Sequence, residues 1–261
     1  LGGLATLGNI VIYLPLCDGL GHQVIKGLGE ELLKASIGDG YDEIPSCWRP
    51  GGNPQQRLEQ RYRVRFNPAS LILILEELVL EAGVDLYYDT RFCDVVLQGE
   101  HIEAVVVENK SGRSALACRT VVDASGDADV CARAGEDTVS LATNVRAGWF
   151  FYTRGGQLER VPLTKPYDPY GEEVPDGGRG YAGDRAEDVT AQVIDTRKLI
   201  RQRLEELRQN ADGEAVYPDL LPTIPGFRMT RRLKWERELG EEHERRIFAD
   251  SVGMTGNWPK A

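Results

Sequence analysis

Residues 120–135 read Thr-Val-Val-Asp-Ala-Ser-Gly-Asp-Ala-Asp-Val-Cys-Ala-Arg-Ala-Gly. Thr120 to Ala124 is a short apolar run suited to a central parallel strand. It feeds a tight glycine turn, Ser125 to Asp129, and then a helical run, Val130 to Ala134, closed by Gly135. A strand that ends in a glycine turn and a helix presents backbone N–H groups at its carboxyl end, the ligand edge of an open α/β sheet. Gly126 permits close approach to the backbone, and a helix N-terminus favours negative charge. The competing reading is an ordinary strand-to-helix turn in which Asp127 and Asp129 cap the helix. On pattern alone the two readings stand level.

The upstream sequence separates them. Cys93–Leu97, Ile102–Glu108 and Ser114–Cys118 are strand-like runs joined by Gln98-Gly99-Glu100 and by Asn109-Lys110-Ser111-Gly112, which predicts an antiparallel meander. Before it, Val84–Asp89 reads as a short strand. Before that, Asn67 as N-cap and Pro68 at the first helical position open a helix whose body, Leu71 to Leu80, is apolar nearly all round and is expected to be deeply buried. Gly83 ends it. The order of helix, strand, antiparallel excursion, parallel strand and glycine turn resembles the interrupted order of flavin dinucleotide-binding domains.

The flanks are read more simply. Leu20, Val24, Leu28 and Leu32, widened by Ile25 and Leu33, predict a helix over 19–36. A Gly/Pro-rich stretch follows to residue 57. Beyond residue 141, Trp149 to Tyr152 suggest a strand, and 155–185 read as a long loop holding Pro162, Pro166, Pro169 and Pro175. Ala186 to Asn210 is an amphipathic helix with Val189, Val193, Ile200, Leu204 and Leu207 on one face. Tyr217 to Phe227 is turn-rich, and Arg228, Arg231, Arg232 and Lys234 form a basic cluster.

Composition bounds the function. A length of 261 residues lies between one domain and two, and 41% hydrophobic with 28% charged residues excludes disordered, collagen-like and disulfide-scaffold classes. Lys plus Arg is 31 against 41 Asp plus Glu, a net charge of -10 that argues against nucleic acid or an anionic membrane as partner. The uncharged opening, LGGLATLGNIVIYLPLC, falls short of the roughly 20 residues of a spanning helix and is broken by glycines and Pro15, so no membrane insertion is expected. The five cysteines include no C-x-x-C pair and there are only three histidines, so no metal site is expected. Reduced thiols in a cytoplasmic protein are the simple reading. Neither G-x-G-x-x-G nor a P-loop pattern is present.

Four segments in order carry a resemblance: LGGLATLG, VRFNPASLILILEELVLEAGVDLYYDTRF, ENKSG with VVDASGDADVCARAG, and PGFRMTRRL with FADSVGMTGNW. Together they resemble the FAD-dependent oxidoreductase family, in the glutathione-reductase-like branch near the flavoprotein subunits of fumarate reductase and succinate dehydrogenase. The resemblance implies an α/β fold: an FAD-binding Rossmann-like parallel sheet with an antiparallel β-meander, plus an inserted α+β substrate domain. It implies FAD as cofactor and flavin-mediated hydride transfer with a small organic substrate. The rivals are a non-redox flavoprotein, in which FAD is structural or serves a lyase-type step, and a fragment that binds no cofactor.

By residue, the resemblance places Gly2, Gly3, Ala5 and Thr6 in the loop along the FAD. It places Arg91-Phe92 where backbone meets the adenine, and Ala124, Ser125, Gly126 and Asp127 on the family's Ala-Thr-Gly-Asp motif, with Ser125 keeping the hydroxyl. Arg228, Arg231 and Arg232 match a basic segment facing the substrate; a solvated helix face paired with Glu236, Glu238 and Glu241 is the alternative. His22 is the candidate acid/base, against a packing or solvent-facing histidine. Cys17 is read as either a redox thiol near the flavin or a buried structural cysteine. The implied organisation is an FAD-binding domain over 1–140 without its first βα unit, a substrate domain over 141–230, and a segment over 231–261 returning toward the FAD domain. A glycine motif upstream and a glycine-rich closing segment downstream are expected of the family, and a homo-oligomer is compatible with it.

Overall fold

The computed structural model describes residues 1–40, 42–142, 148–163, 179–227, 230–234, 243, 246 and 248–249. The chain divides into two compact units, one of Leu1–Val84 with Leu239–Ala261, the other of Asp85–Glu238.

In the first unit a single-turn helix, Gly3–Ala5, leads into β1 (Ile12–Tyr13), which pairs antiparallel with β2 (Val64–Arg65). Between them lies α1 (Leu28–Ser36), and after them α2 (Pro68–Glu81). The predicted helix over 19–36 is therefore shortened from its start. Residues 17–23 form a hairpin instead, bridged at Cys17 and Gln23, and 24–27 lead from it into α1 without regular structure. The reason is local: Gly27 adopts φ 58°, ψ -135°, a conformation closed to side-chain-bearing residues and incompatible with a helix running through it. The core of this unit gathers Leu16, Cys17, Leu33, Tyr62 and Val64, and the Trp48 ring stacks on Tyr62 at 5.2 Å.

The start of α2 forms as its sequence predicts, with Asn67 Oδ1 accepting from the Ala69 N–H at 2.9 Å and Pro68 at the first position. Its burial does not follow the prediction. Pro68, Ser70 and Leu71 are buried, whereas Leu73, Leu78 and Leu80 stand exposed. A helix that is apolar all round needs neighbours on every side, and the described part of this unit covers one side of it. Val84–Asp89, expected as a strand, is irregular chain.

The second unit opens with the meander: β3 (Arg91–Gln98), β4 (His101–Asn109) and β5 (Gly112–Ala117), antiparallel in that order. The helix α3 (Asp129–Arg133) follows and packs against β3. The expected parallel strand over Thr120–Ala124 is absent. These residues join no ladder, Val122 is 85% exposed, and every ladder among the described residues is antiparallel. A parallel strand exists only with a neighbour to take its N–H and C=O groups. The fold is thus a mixed arrangement of helices and antiparallel sheets, compatible with an α/β FAD-binding fold, and the parallel Rossmann sheet does not appear among the described residues.

β6 (Thr138–Ser140) pairs with the later β10 (Arg231–Leu233), and β7 (Trp149–Arg154) is the centre of a sheet between β8 (Gln157–Pro162) and β9 (Val216–Leu220). The predicted long loop thus begins as a hairpin, turned by Gly155-Gly156, with β8 ending at Pro162. Pro218 sits inside β9, which is tolerated because β9 is an edge strand. The helix α4 (Ala186–Gln209) forms as expected. Its Ile200 and Leu204 meet Phe150, Tyr152, Leu163, Ala211 and Val216 in the core of this unit.

Candidate functional site

The turn after residue 122 is organised by one carboxylate. Asp123 Oδ1 accepts from the Ser125 N–H at 3.1 Å and from the Ser125 hydroxyl at 2.6 Å. Its Oδ2 accepts from the N–H groups of Val130 at 3.1 Å and Cys131 at 3.2 Å. Ser125 Oγ in turn accepts from the Asp129 N–H at 3.0 Å and, more weakly, from the Asp127 N–H at 3.4 Å. Ala128 takes a left-handed conformation (φ 51°, ψ 39°) to turn the chain into α3. The helix start is therefore capped by Asp123 and Ser125, not by Asp127 or Asp129 as one sequence reading had it. Burial works to raise the Asp123 carboxyl, but the Ser125 and Cys131 hydrogen bonds outweigh it and hold it below the usual range. With a protein carboxylate on these N–H groups, the start of α3 is already neutralised and is not the anion site that the strand-turn-helix reading implied.

What stays open on this turn is Gly126. Its φ is +86°, and a Cβ built there would meet nothing within 4 Å. Next to it, Asp127 is half-buried and its carboxyl is pushed up, first by burial and further by Asp129 and Asp123. Arg231 and the Thr230 hydroxyl oppose the rise. That hydroxyl is itself buried and falls short of a well-formed hydrogen bond with any partner.

The basic segment lies on β10 rather than on a helix. Arg231 is 17% exposed, with Nη1 3.0 Å from Asp129 Oδ1 and Nη2 3.9 Å from Asp184 Oδ2. Its charge is therefore committed within the protein, tying β10 to the start of α3. Arg232, next along the strand, is half-buried. Arg228 lies outside the described residues, as do Glu236, Glu238 and Glu241. Phe92 sits on β3, half-buried and paired in register with Val107. Phe92, Ala124, Ser125, Gly126, Asp127, Arg231 and Arg232 thus all belong to the second unit.

The first unit carries the other candidates. Gly2 is left-handed (φ +82°), and a Cβ there would lie 2.8 Å from Thr6 Cγ2. Gly2 and Gly3 are exposed and Ala5 half-buried, so the loop offers backbone. Thr6 does not offer its hydroxyl, which donates to the Leu1 carbonyl at 2.7 Å and stands 3.3 Å from that of Gly3. Asn9 was not anticipated from sequence. It is 1% exposed, sits at φ 55°, and its Nδ2 has no hydrogen-bond partner. Sequence carries no signal for this donor, because whether the amide finds a partner depends on how the loop folds.

His22 closes the hairpin of residues 17–23. Its Nδ1 lies 2.9 Å from Asp18 Oδ2, while Asp18 Oδ1 accepts from the N–H groups of Leu20 at 2.7 Å and His22 at 3.0 Å. Burial works to raise the Asp18 carboxyl, but the His22 ring and these backbone groups overcome it and hold it low. The His22 side chain is 76% exposed. Cys17 is fully buried and its Sγ accepts from the Tyr62 N–H at 3.4 Å, the geometry of a structural thiol. No group of metal-ligating side chains occurs among the described residues, and no described helix is long and apolar enough to cross a membrane.

A family model described as FAD dependent oxidoreductase matches residues 1–144, more than half of the chain and including the glycine loop, the meander and the 120–135 stretch. The chain belongs to the FAD-dependent oxidoreductases. No curated protein and no solved structure matches it. FAD is the cofactor of this family, and the residues present fit it in part. Each unit by itself offers exposed glycine backbone that a large cofactor could approach, Gly2-Gly3 in the first and Gly126 in the second. The start of α3, already occupied by Asp123, does not suit a pyrophosphate.

Proposed function

We propose that the chain is a flavoenzyme of the branch near fumarate reductase that exchanges a hydride with a small organic substrate. The observation that carries this reading is the Gly126-Asp127 turn within the family match: an open left-handed glycine beside a half-buried carboxyl held on a rigid cap. The flavin supplies the two-electron chemistry when bound, and the protein supplies binding, orientation and proton handling.

In this proposal the Gly126 backbone passes against the cofactor, and Asp127 accepts from one of its hydroxyl groups. Gly2, Gly3 and Ala5 line it through backbone, Thr6 stiffens that loop, and Arg91-Phe92 meets the adenine. His22, oriented by Asp18 through Nδ1, takes up or delivers the substrate proton at its other ring nitrogen. Arg232 faces the substrate, with Arg231 fixing β10 against the start of α3; Arg228, proposed for the same role, lies outside the described residues. The division into an FAD-binding domain over 1–140, a substrate domain over 141–230 and a returning segment over 231–261 is part of the same proposal, as are a cytoplasmic location and assembly as a homo-oligomer.

The test is spectroscopic. Purified protein, or protein titrated with FAD, should show saturable flavin absorbance, and a substrate added without air should bleach it. Gly126→Val should lower FAD occupancy at unchanged far-UV circular dichroism. A protein that takes up no FAD, or one whose G126V variant binds it as well as the parent, overturns the site assignment. A bound flavin that no reductant bleaches favours the non-redox reading.

A further inference from the structure

The family match ends at residue 144, yet the Gly126-Asp127 turn is braced by residues beyond it. Two further segments of the second unit meet there, the Gly183-Asp184 pair ahead of α4 and Thr230-Arg231 at the start of β10. Thr230 is 4% exposed, and its carbonyl accepts from the Leu141 N–H at 2.9 Å, which fixes its backbone beside the end of β6. Its side chain lies on Gly183. A Cβ added at Gly183 would stand 2.2 Å from Thr230 Oγ1, 2.6 Å from its Cγ2 and 2.9 Å from its Cβ. Those are distances that only displacement of the threonine could relieve, so glycine at 183 is what leaves Thr230 its seat. Arg231 closes the same corner, with Nη1 3.0 Å from Asp129 Oδ1 and Nη2 3.9 Å from Asp184 Oδ2.

Seated in this way, the Thr230 hydroxyl faces Asp127, where it favours the charged carboxylate. It completes no well-formed bond elsewhere among the described residues. A hydroxyl carries one proton to donate, and leaving it unused when buried is costly, so the acceptor at hand is Asp127. The other groups acting on that carboxyl are Asp123 and Asp129 on its own turn and Arg231 on β10. The guanidinium is shared with Asp129 and Asp184, and both aspartates repel. Thr230 is thus the neutral donor that can fix the direction of the Asp127 side chain.

We propose that Thr230, seated on Gly183, is the positioning residue of the Gly126-Asp127 turn: its hydroxyl donates to one carboxylate oxygen of Asp127 and leaves the other for a hydroxyl of the cofactor. The role toward the cofactor rests on the function proposed above. The pairing of Thr230 with Asp127 does not, and it is tested without flavin.

The titration of Asp127 reports the pairing. Its carboxyl carbon is followed by 13C NMR in the full chain, the resonance being the one that Asp127→Asn removes. Losing a donor to the charged form makes a carboxylate take up its proton more readily. Thr230→Val should therefore make Asp127 titrate at higher pH than in the parent, and Thr230→Ser should return it. Gly183→Ala keeps the hydroxyl but takes its seat, so it should move Asp127 in the same direction, and it serves where Thr230→Val does not fold. FAD affinity over the same range should weaken as Asp127 gains its proton, and in Thr230→Val that weakening should begin at higher pH. An Asp127 titration unchanged in Thr230→Val or Gly183→Ala, or one that Thr230→Ser does not restore, overturns the positioning role. A shifted titration to which FAD affinity is indifferent upholds the pairing and overturns instead the placing of the cofactor on Asp127.

Discussion

Asp123 shows how much a single side chain can decide. Four donors converge on its two oxygens, and two of them are the N–H groups at the start of α3. Replacing it by alanine returns those donors to solvent and loosens Ser125, so Asp123→Ala should destabilise the protein by about 1–2 kcal/mol in urea denaturation, the range of a lost N-cap. Asp123→Asn keeps one acceptor oxygen and should recover part of the loss. The dependence on pH has a definite sign. The carboxyl is held below its unfolded value, so its contribution is complete above the ordinary aspartate range and is lost as pH falls through the lowered folded value. An alanine variant with the same acid limb as the parent would contradict this role. Sequence could not assign it, because a residue that caps a helix seven positions away is indistinguishable from a strand residue until the turn is folded.

At the scale of elements, what was legible was what local chemistry dictates. Asn67-Pro68 announces α2, the Gly99 and Gly112 turns set the meander, and the repeat of α4 gives its length. What was not legible depends on partners. Gly27 cuts the helix over 19–36 by its backbone conformation, β8 and β9 exist because β7 lies between them, and Thr120–Ala124 lacks a neighbour to become a strand with. The β7–β8 hairpin carries its own test. Tyr152 and Glu159 are directly paired across it, with the phenol donating to Glu159 at 2.5 Å. Burial first, and then Glu159, push the Tyr152 phenol up to about 12. In an alkaline titration followed by phenolate absorbance, Glu159→Gln should bring Tyr152 down, while Tyr62, raised to about 12 by burial and by Glu30, keeps its value. Because both values are raised on folding, their contribution is complete below the ordinary tyrosine range and fades as pH climbs through about 12.

At the scale of the whole molecule, each compact unit is built on its own cluster: Leu33 with Leu16, Tyr62 and Val64 in the first, Ile200 with Phe150, Tyr152 and Leu204 in the second. The candidate cofactor residues are split in the same way, with the glycine loop and His22 in one unit and the Ser125-Gly126-Asp127 turn in the other. That split explains why the motifs could be named from sequence while their geometry could not: a four-segment resemblance fixes order along the chain, not distance. Separate clusters make a separable prediction. Leu33 and Ile200 are 0% and 3% exposed, and truncating either to alanine should cost about 2–5 kcal/mol of local stability. In native-state hydrogen exchange, Leu33→Ala should lower protection of the Tyr13 and Val64 amides and spare those of Phe150 and Tyr152, and Ile200→Ala should do the reverse. Equal loss of protection in both clusters from either substitution would show that the molecule opens as one cooperative body, and that the two cores are a single folding unit.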